Sequence, residues 1–358
     1  MKHDVIIVGG GIIGLATGRA LVDSRPGLDL LVLEKEPAVG LHQSGRNSGV
    51  LHSGIYYRPG SQKAELCVTG VGLMVEFCEE HGIPFTRDGK VVIANSDLER
   101  QRLDELERRG RANGLAGLRR IGATELREIE PHAAGTDALH VPTTGAVNFG
   151  VVTRALAKGL VKDGAEIALG AQLESVVSDG DGWRVSHRAG EARARVVVNC
   201  AGLYSDRVAR LMGVDPPVRI VPFRGEYLKL RTAARDYVKS SIYPVPDPDL
   251  PFLGVHLTRR ANGTVEAGPN AVPAFAREGY RWWTTRPSEL WDSLSYGGTW
   301  RLGRKYWRSG LQEVARSARK QLFVRDAQAD PVSEPGTLLL LGLGVAAVAV
   351  RRRRTARS

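Results

Sequence analysis

Near the start of the chain the apolar residues come in short continuous runs. Val5-Ile6-Ile7-Val8 is apolar without alternation, which suits a parallel strand covered on both faces. Glycines follow, and then Leu15-Ala16 through Leu21-Val22, whose small and apolar spacing predicts a helix packed on a sheet and stopped by Arg25-Pro26-Gly27. A second buried strand, Leu28 to Leu33, ends in Glu34-Lys35-Glu36. Two parallel strands joined by one helix make a βαβ unit.

The pattern then changes. From Gly40 to Tyr57 the chain is polar and glycine-rich, which is loop chemistry, and loops of this kind often carry a site. Ser96 with Glu99 three residues on is a capping box, opening an amphipathic helix expected to bury Leu98, Leu103 and Leu106. Glycine-bounded β segments follow near 166–169, 173–177 and 183–185, and Val196-Val197-Val198 reads as a buried strand meeting a tight turn at Asn199-Cys200-Ala201-Gly202. Between 221 and 270, prolines and short apolar runs predict an antiparallel sheet with a hairpin turn at Asn262-Gly263. Period-two alternation puts Gly254, His256 and Thr258 on one face, with Val255 and Leu257 on the other. Residues from about 282 to 323, rich in Trp, Arg and Ser, suggest helices covering a site.

The expected fold is therefore α/β: a Rossmann-like, doubly wound domain interleaved with an antiparallel-sheet domain. Residues 1–95 and 149–215 are assigned to the first domain, 96–148 to a helical insertion, 216–330 to the second domain with covering helices, and 331–358 to a tail. With 358 residues and 42% hydrophobic content the chain can bury a full core and is not a disordered protein. Cys67, Cys78 and Cys200 form no C-x-x-C pair, which argues against a zinc site or disulfide framework and for a reducing compartment. The formal charge is +11, of which +4 falls after residue 330; such an excess can draw in an anionic substrate or an acidic membrane surface, and no nucleic-acid motif accompanies it. Met1-Lys2-His3 runs straight into the first strand with no room for a signal peptide, so a cytoplasmic location is expected.

Gly9-x-Gly11-x-x-Gly14 lies between a predicted strand and a predicted helix, where glycines permit the tight turn, the approach of a pyrophosphate and close helix–strand packing. Glu34 closes the second strand at the distance where a carboxylate accepts ribose hydroxyls. A nicotinamide domain would continue in regular βα units. The long polar loop that interrupts the fold here favours FAD, with 196–202 as the returning strand.

Gly10-Gly11-Ile12-Ile13-Gly14, His42-Gln43-Ser44-Gly45-Arg46-Asn47-Ser48-Gly49-Val50 and His52-Ser53-Gly54-Ile55-Tyr56-Tyr57 resemble the N-terminal signature of L-2-hydroxyglutarate dehydrogenases, members of the D-amino-acid-oxidase-like FAD superfamily. Further matching blocks are 59–61, 222–227, 243–248, 252–258 and 268–271, in one order up to about residue 326. The resemblance implies FAD as cofactor, a small dicarboxylic hydroxyacid as substrate, and quinone or oxygen as electron acceptor. Glycine or D-amino-acid oxidases and glycerol-3-phosphate dehydrogenases are the neighbouring alternatives, and a truncated, non-catalytic remnant is the other. Candidate cofactor contacts are Gly9, Gly11, Gly14, Glu34, Ser44, Asn47, Val176 and Gly202.

Oxidising a 2-hydroxy acid requires hydride transfer from the carbinol carbon and a base near the hydroxyl proton. His52 and His256 are the candidates, and the residues do not choose between them. Arg224 and Arg259 are candidate carboxylate partners, since a guanidinium fork matches a carboxylate, and Tyr243 and Thr258 are candidate pocket residues. The three cysteines read as buried structural thiols. After 330, Ser333-Glu334-Pro335-Gly336-Thr337, the apolar run 338–350 and Arg351 to Arg354 resemble a PEP-CTERM sorting tail, shorter than the roughly 20 residues that cross a bilayer, and this suggests attachment to the cytoplasmic face of the inner membrane. The resemblance implies a further C-terminal segment that completes the dinucleotide domain, so with the tail in its place the fold is expected to be incomplete at the C-terminus.

Overall fold

The computed structural model describes residues 2–249 and 254–329, the side chains of 325–329 excepted. In chain order the elements are β1 (Lys2–Val8), α1 (Ile12–Ser24), β2 (Leu30–Leu33), β3 (Val50–Leu51), α2 (Gln62–Glu80), β4 (Phe85–Thr86), β5 (Lys90–Ala94), α3 (Asp97–Ala112), β6 (Arg119–Gly122), α4 (Ala123–Ile129), β7 (Asp137–Val141) and β8 (Gly145–Val147). They continue with α5 (Phe149–Lys162), β9 (Glu166–Ala168), β10 (Leu173–Asp179), β11 (Gly182–His187), β12 (Gly190–Asn199), α6 (Ser205–Leu211), β13 (Phe223–Lys229), β14 (Ser241–Pro244), β15 (His256–Arg259), β16 (Val265–Pro273), α7 (Pro287–Leu294), α8 (Gly297–Ala318) and α9 (Lys320–Ala329).

The chain divides into two units, the first comprising residues 1–47, 148–222 and 274–300, the second 48–147, 223–273 and 301–358. Residues 48–95, which the sequence pattern assigns to the dinucleotide domain, thus fall in the second unit. The chain leaves the first unit at Asn47, within the polar loop.

The first unit is built on a six-stranded sheet in the order β10-β11-β12-β1-β2-β9. β12, β1, β2 and β9 are parallel neighbours, and β10 to β12 form an antiparallel meander. Ile6, Ile7, Val32 and Leu33 are almost wholly buried, as continuous apolar strands require. Helices α1 and α5 pack together where Gly18 brings α1 close to Leu30 and Leu160. The returning strand is β12, paired in parallel with β1, so Val8 stands opposite Asn199. It is not buried throughout: Val196 is 50% exposed among the described residues.

The second unit carries a seven-stranded sheet, β13-β16-β15-β14-β5-β7-β6, antiparallel except at β14–β5, and a small sheet of β3, β8 and β4. One face of the large sheet packs Val91, Ile93, Ile242, Leu257, Ala267 and Leu228 into a core with Phe323 of α9. The opposite face contributes Val92, Ala94, Leu139, Val141 and Tyr243 to a second core with Leu103 and Leu106 of α3. The capping box on α3 forms with both hydrogen bonds present, yet Leu98 is 57% exposed. The box sets where the helix starts, and only tertiary packing sets which side faces inward. The 287–329 segment is helical as expected, but α8 buries none of its residues. Among the described residues no helix is long and apolar enough to cross a membrane. The tail motif at 331–358 lies outside the described residues.

Candidate active site

In the first unit the glycine motif works by close approach. Gly9 has φ +117°, and a Cβ there would lie 2.3 Å from the Cys200 carbonyl oxygen; one on Gly14 would lie 2.0 Å from the Gly9 oxygen. No other residue fits either place. Gly11 is the N-cap of α1 and supplies no side-chain cap; instead the Ser44 hydroxyl accepts a hydrogen bond from Ile12 N at 2.9 Å. The Glu34 carboxylate accepts from Gly10 N at 2.8 Å and from Glu36 N at 2.9 Å, one on each oxygen, leaving lone pairs on both for ribose hydroxyls.

Gly11, Ser44 and Glu34 line a cavity of about 720 Å³ together with Gly9, Cys200 and Gly202, and on its wall Arg207 and Arg286 are paired with Glu289 and Glu278. The volume is that of a ligand pocket. A helix N-terminus with glycine at its N-cap, glycines whose Cβ space is taken by backbone, and a carboxylate at the end of β2 are the donor and acceptor set for a dinucleotide, so the residues present fit FAD. At one side Lys35 is bound to Glu36 and Glu278, and His42 reaches Glu36 at 3.0 Å and the Tyr280 hydroxyl at 2.9 Å. The hydrogen bonds from Lys35 and then His42 hold Glu36 down to about 2.

Two expected cofactor residues act otherwise. Asn47 donates its amide to the Gln43 and Ser44 carbonyls at 3.0 and 2.8 Å, shaping the loop that presents Ser44. Val176 is a core residue opposite Val185 and is not in the cavity lining.

In the second unit, strand alternation gathers a different set. Ile242 pairs with Leu257 and both point into the α9-side core, so Tyr243 and His256 emerge together on the other face. Their rings stack at 4.0 Å with planes 17° apart. Thr258 follows on the same face and is 1% exposed. His256 Nδ1 lies 2.9 Å from the Gly254 carbonyl, which assigns the proton to Nδ1 and leaves Nε2 as acceptor. Burial lowers His52 and His256 to about 4, with the charge of Lys90 acting in the same sense on both. Both imidazoles are therefore neutral near pH 7. Burial also raises Tyr243 to about 12, and Cys67 donates its thiol to the His52 carbonyl. Burial likewise raises Cys78 and Cys200, so none of the three thiols is activated.

Arg224 and Arg259 do not join this face. Arg224 alternates with Glu226 and Leu228, and Leu228 packs in the α9-side core; its guanidinium binds Glu226 at 2.9 Å. Arg259 is in phase with Leu257, and its Nη1 donates to the Val238 carbonyl at 2.9 Å. The sequence expectation is that these two meet a substrate carboxylate; the register places both across the sheet from His256.

Lys90, which the sequence pattern passes over, does lie on the His256 face. It is in phase with Val92 and Ala94, pairs with Ser241, and is 0% exposed. A lysine opening an apolar strand reads as a solvated strand end; only its phase with Val92 hints otherwise.

Fold and site together define a dinucleotide-binding flavoprotein that carries out oxidation–reduction. The chain belongs to the FAD dependent oxidoreductase family, whose sequence profile matches residues 4–344 and so runs past 326, where the recognisable blocks end. It is 44% identical over 98% of its length to the L-2-hydroxyglutarate dehydrogenase of Indibacter alkaliphilus, covering 89% of that protein. With the enzyme of that name from Escherichia coli K12 it shares 42% over 91% of this chain and 77% of the relative; with the human mitochondrial one, 41% over 87% and 70%. Among solved structures it is similar to the FAD-bound L-alpha-glycerophosphate oxidase of Mycoplasma pneumoniae, with a TM-score of 0.70 and 24% identity over 79% of this chain and 75% of that one. The glycine oxidase of Geobacillus kaustophilus gives 0.66 and 23% over 76% and 72%. At such identities these two likenesses bear on the fold.

Proposed function

We propose that the chain oxidises L-2-hydroxyglutarate to 2-oxoglutarate. The observation that carries this reading is the pair of neutral imidazoles, His256 buried beside Tyr243 and His52 half-buried, in a chain whose curated relatives at 41–44% identity carry the name L-2-hydroxyglutarate dehydrogenase. Bound FAD supplies the acceptor for the hydride leaving the carbinol carbon. The chain holds the dinucleotide through the Gly9–Gly14 turn, the α1 N-terminus, Ser44, Gly202 and Glu34. His52 or His256 takes the hydroxyl proton as the hydride departs. For His256 the accepting atom is Nε2, because Nδ1 is tied to Gly254. Burial makes either imidazole a weak base alone, and a nearby carboxylate of the substrate strengthens it by favouring the imidazolium. Tyr243 and Thr258 wall the face and exclude water. A quinone or oxygen would take the electrons from the bound cofactor, and attachment of the tail to the cytoplasmic face of the inner membrane would favour the quinone.

Steady-state turnover with an artificial electron acceptor tests the substrate. L-2-Hydroxyglutarate is expected to give the highest kcat/KM in a panel with D-2-hydroxyglutarate, glycine, D-alanine and glycerol 3-phosphate. A higher value for any other member overturns the reading.

A further inference from the structure

The most unusual side chain in the second unit is Lys90. Its ammonium is wholly buried and has no hydrogen-bond partner among the described residues. It sits 4.2 Å from the centroid of the Tyr56 ring and 5.1 Å from that of Tyr243. The groups facing it are His52 and Tyr56 from the loop after β3, Cys67 from α2, Tyr243 from β14 and His256 from β15. None is a carboxylate. Ring faces attract a cation but do not neutralise it, and an unpaired charge in such a place is costly.

We propose that Lys90 is the anchor for a carboxylate of the substrate on the His52–His256 face. The proposal rests on the hydroxyacid reading above and adds to it the cation that fixes the anion. Arg224 and Arg259, the obvious alternatives, lie across the sheet and are already bound within the protein. Burial lowers the Lys90 ammonium to about 7, and an incoming carboxylate restores its charge by pairing with it. The same carboxylate offsets the Lys90 charge that disfavours protonation of the two imidazoles. One ion pair thus both holds the substrate and strengthens the base. The ligand class is a small 2-hydroxy acid; the carboxylate is the feature recognised.

The test is calorimetric titration of glutarate, which has two carboxylates and no hydroxyl to oxidise, into the full chain loaded with FAD. Lys90→Met keeps the length of the side chain and removes the charge. It is expected to weaken glutarate binding roughly 10- to 100-fold, with flavin content unchanged and KM raised more than kcat is lowered, and Lys90→Arg is expected to restore part of the affinity. Wild-type affinity should fall as pH rises well above 7, and that dependence should vanish in Lys90→Met. A Lys90→Met protein with its full flavin complement and wild-type affinity for glutarate overturns the proposal. So does a pH-independent affinity of the wild-type chain between about pH 6 and about pH 9, which decides the matter if Lys90→Met fails to fold. If the wild-type chain prefers L-lactate to glutarate and Lys90→Met loses that binding, the dicarboxylate reading falls and the Lys90 anchor stands. A loaded wild-type chain that binds no carboxylate overturns both.

Discussion

Tyr243 and His256 stack face to face at 4.0 Å because their strand neighbours Ile242 and Leu257 are a register pair pointing into the opposite core. The stack fixes the plane of the imidazole, and the Gly254 carbonyl fixes which nitrogen carries the proton. A base held in one plane and one tautomer loses little entropy when it meets its substrate.

Removal of the base is expected to slow reduction of the flavin by on the order of 10² to 10⁴. Asparagine at His52 or at His256 should show that loss in one variant and a smaller one in the other, read by rapid mixing of substrate with FAD-loaded protein. If the double variant reduces its flavin at the wild-type rate, neither imidazole is the base.

The two imidazoles also make stability depend on pH. Their folded values of about 4 lie below the ordinary 6.5, so the unfolded chain binds more protons between those limits. The stability they allow is complete above 6.5 and is lost as pH falls towards 4, on the order of 3 kcal/mol for each ring. Lys90 acts in the same sense higher up: with a folded value of about 7 against 10.5, it makes the protein more stable as pH rises through that range. Thermal midpoints against pH check this, and the slope below 6.5 should flatten when both histidines are replaced by asparagine.

Gly11→Val should fold and lose FAD, because a Cβ at Gly11 meets only a side-chain atom, the Ser44 hydroxyl at 3.2 Å, while the branched methyls enter the cavity. Gly14→Ala should be worse and cost folding itself, since its Cβ meets the Gly9 carbonyl oxygen at 2.0 Å. Flavin-to-protein ratio and thermal midpoint separate the two outcomes. A yellow Gly11→Val protein with normal flavin content would contradict the assigned path of the pyrophosphate.

What was legible in the sequence is what local chemistry decides. The glycine turn, Glu34 at the end of β2, the Ser96–Glu99 box and the Asn262–Gly263 turn each depend on a few neighbouring residues, and each is present. Alternation within one strand also worked, placing His256 and Thr258 together. It failed where the face of one strand must be known relative to another. Arg224 needs the pairing of β13 with β16, which slips between Glu226 and Leu228, before its side is known. Lys90 needs the parallel pairing of β5 with β14, some 150 residues on. The unit boundary at Asn47 was hidden because the residues around it, His42 to Gly49, are polar or glycine and carry no periodic signal.

Asp206 and Arg277 are each 4% exposed and form a buried ion pair with Nη2 to Oδ2 at 2.8 Å, tying α6 to the segment after β16. Asp206→Ala takes the paired carboxylate from the buried guanidinium, leaving it the Leu203 carbonyl and the charges of Asp292 and Glu289, and strips the Ile220 and Arg207 amides of their acceptor. A loss of about 3 to 5 kcal/mol is expected in denaturant titration. A change below about 1 kcal/mol would mean the pair is open to water.

The most direct measurement of the central claim is a single anaerobic turnover of FAD-loaded protein with L-2-hydroxyglutarate. The expected result is bleaching of the oxidised flavin's visible absorbance with one 2-oxoglutarate formed per flavin, and none with the D enantiomer. An unbleached flavin with the L enantiomer, in protein that an amino acid or glycerol 3-phosphate reduces readily, would contradict it.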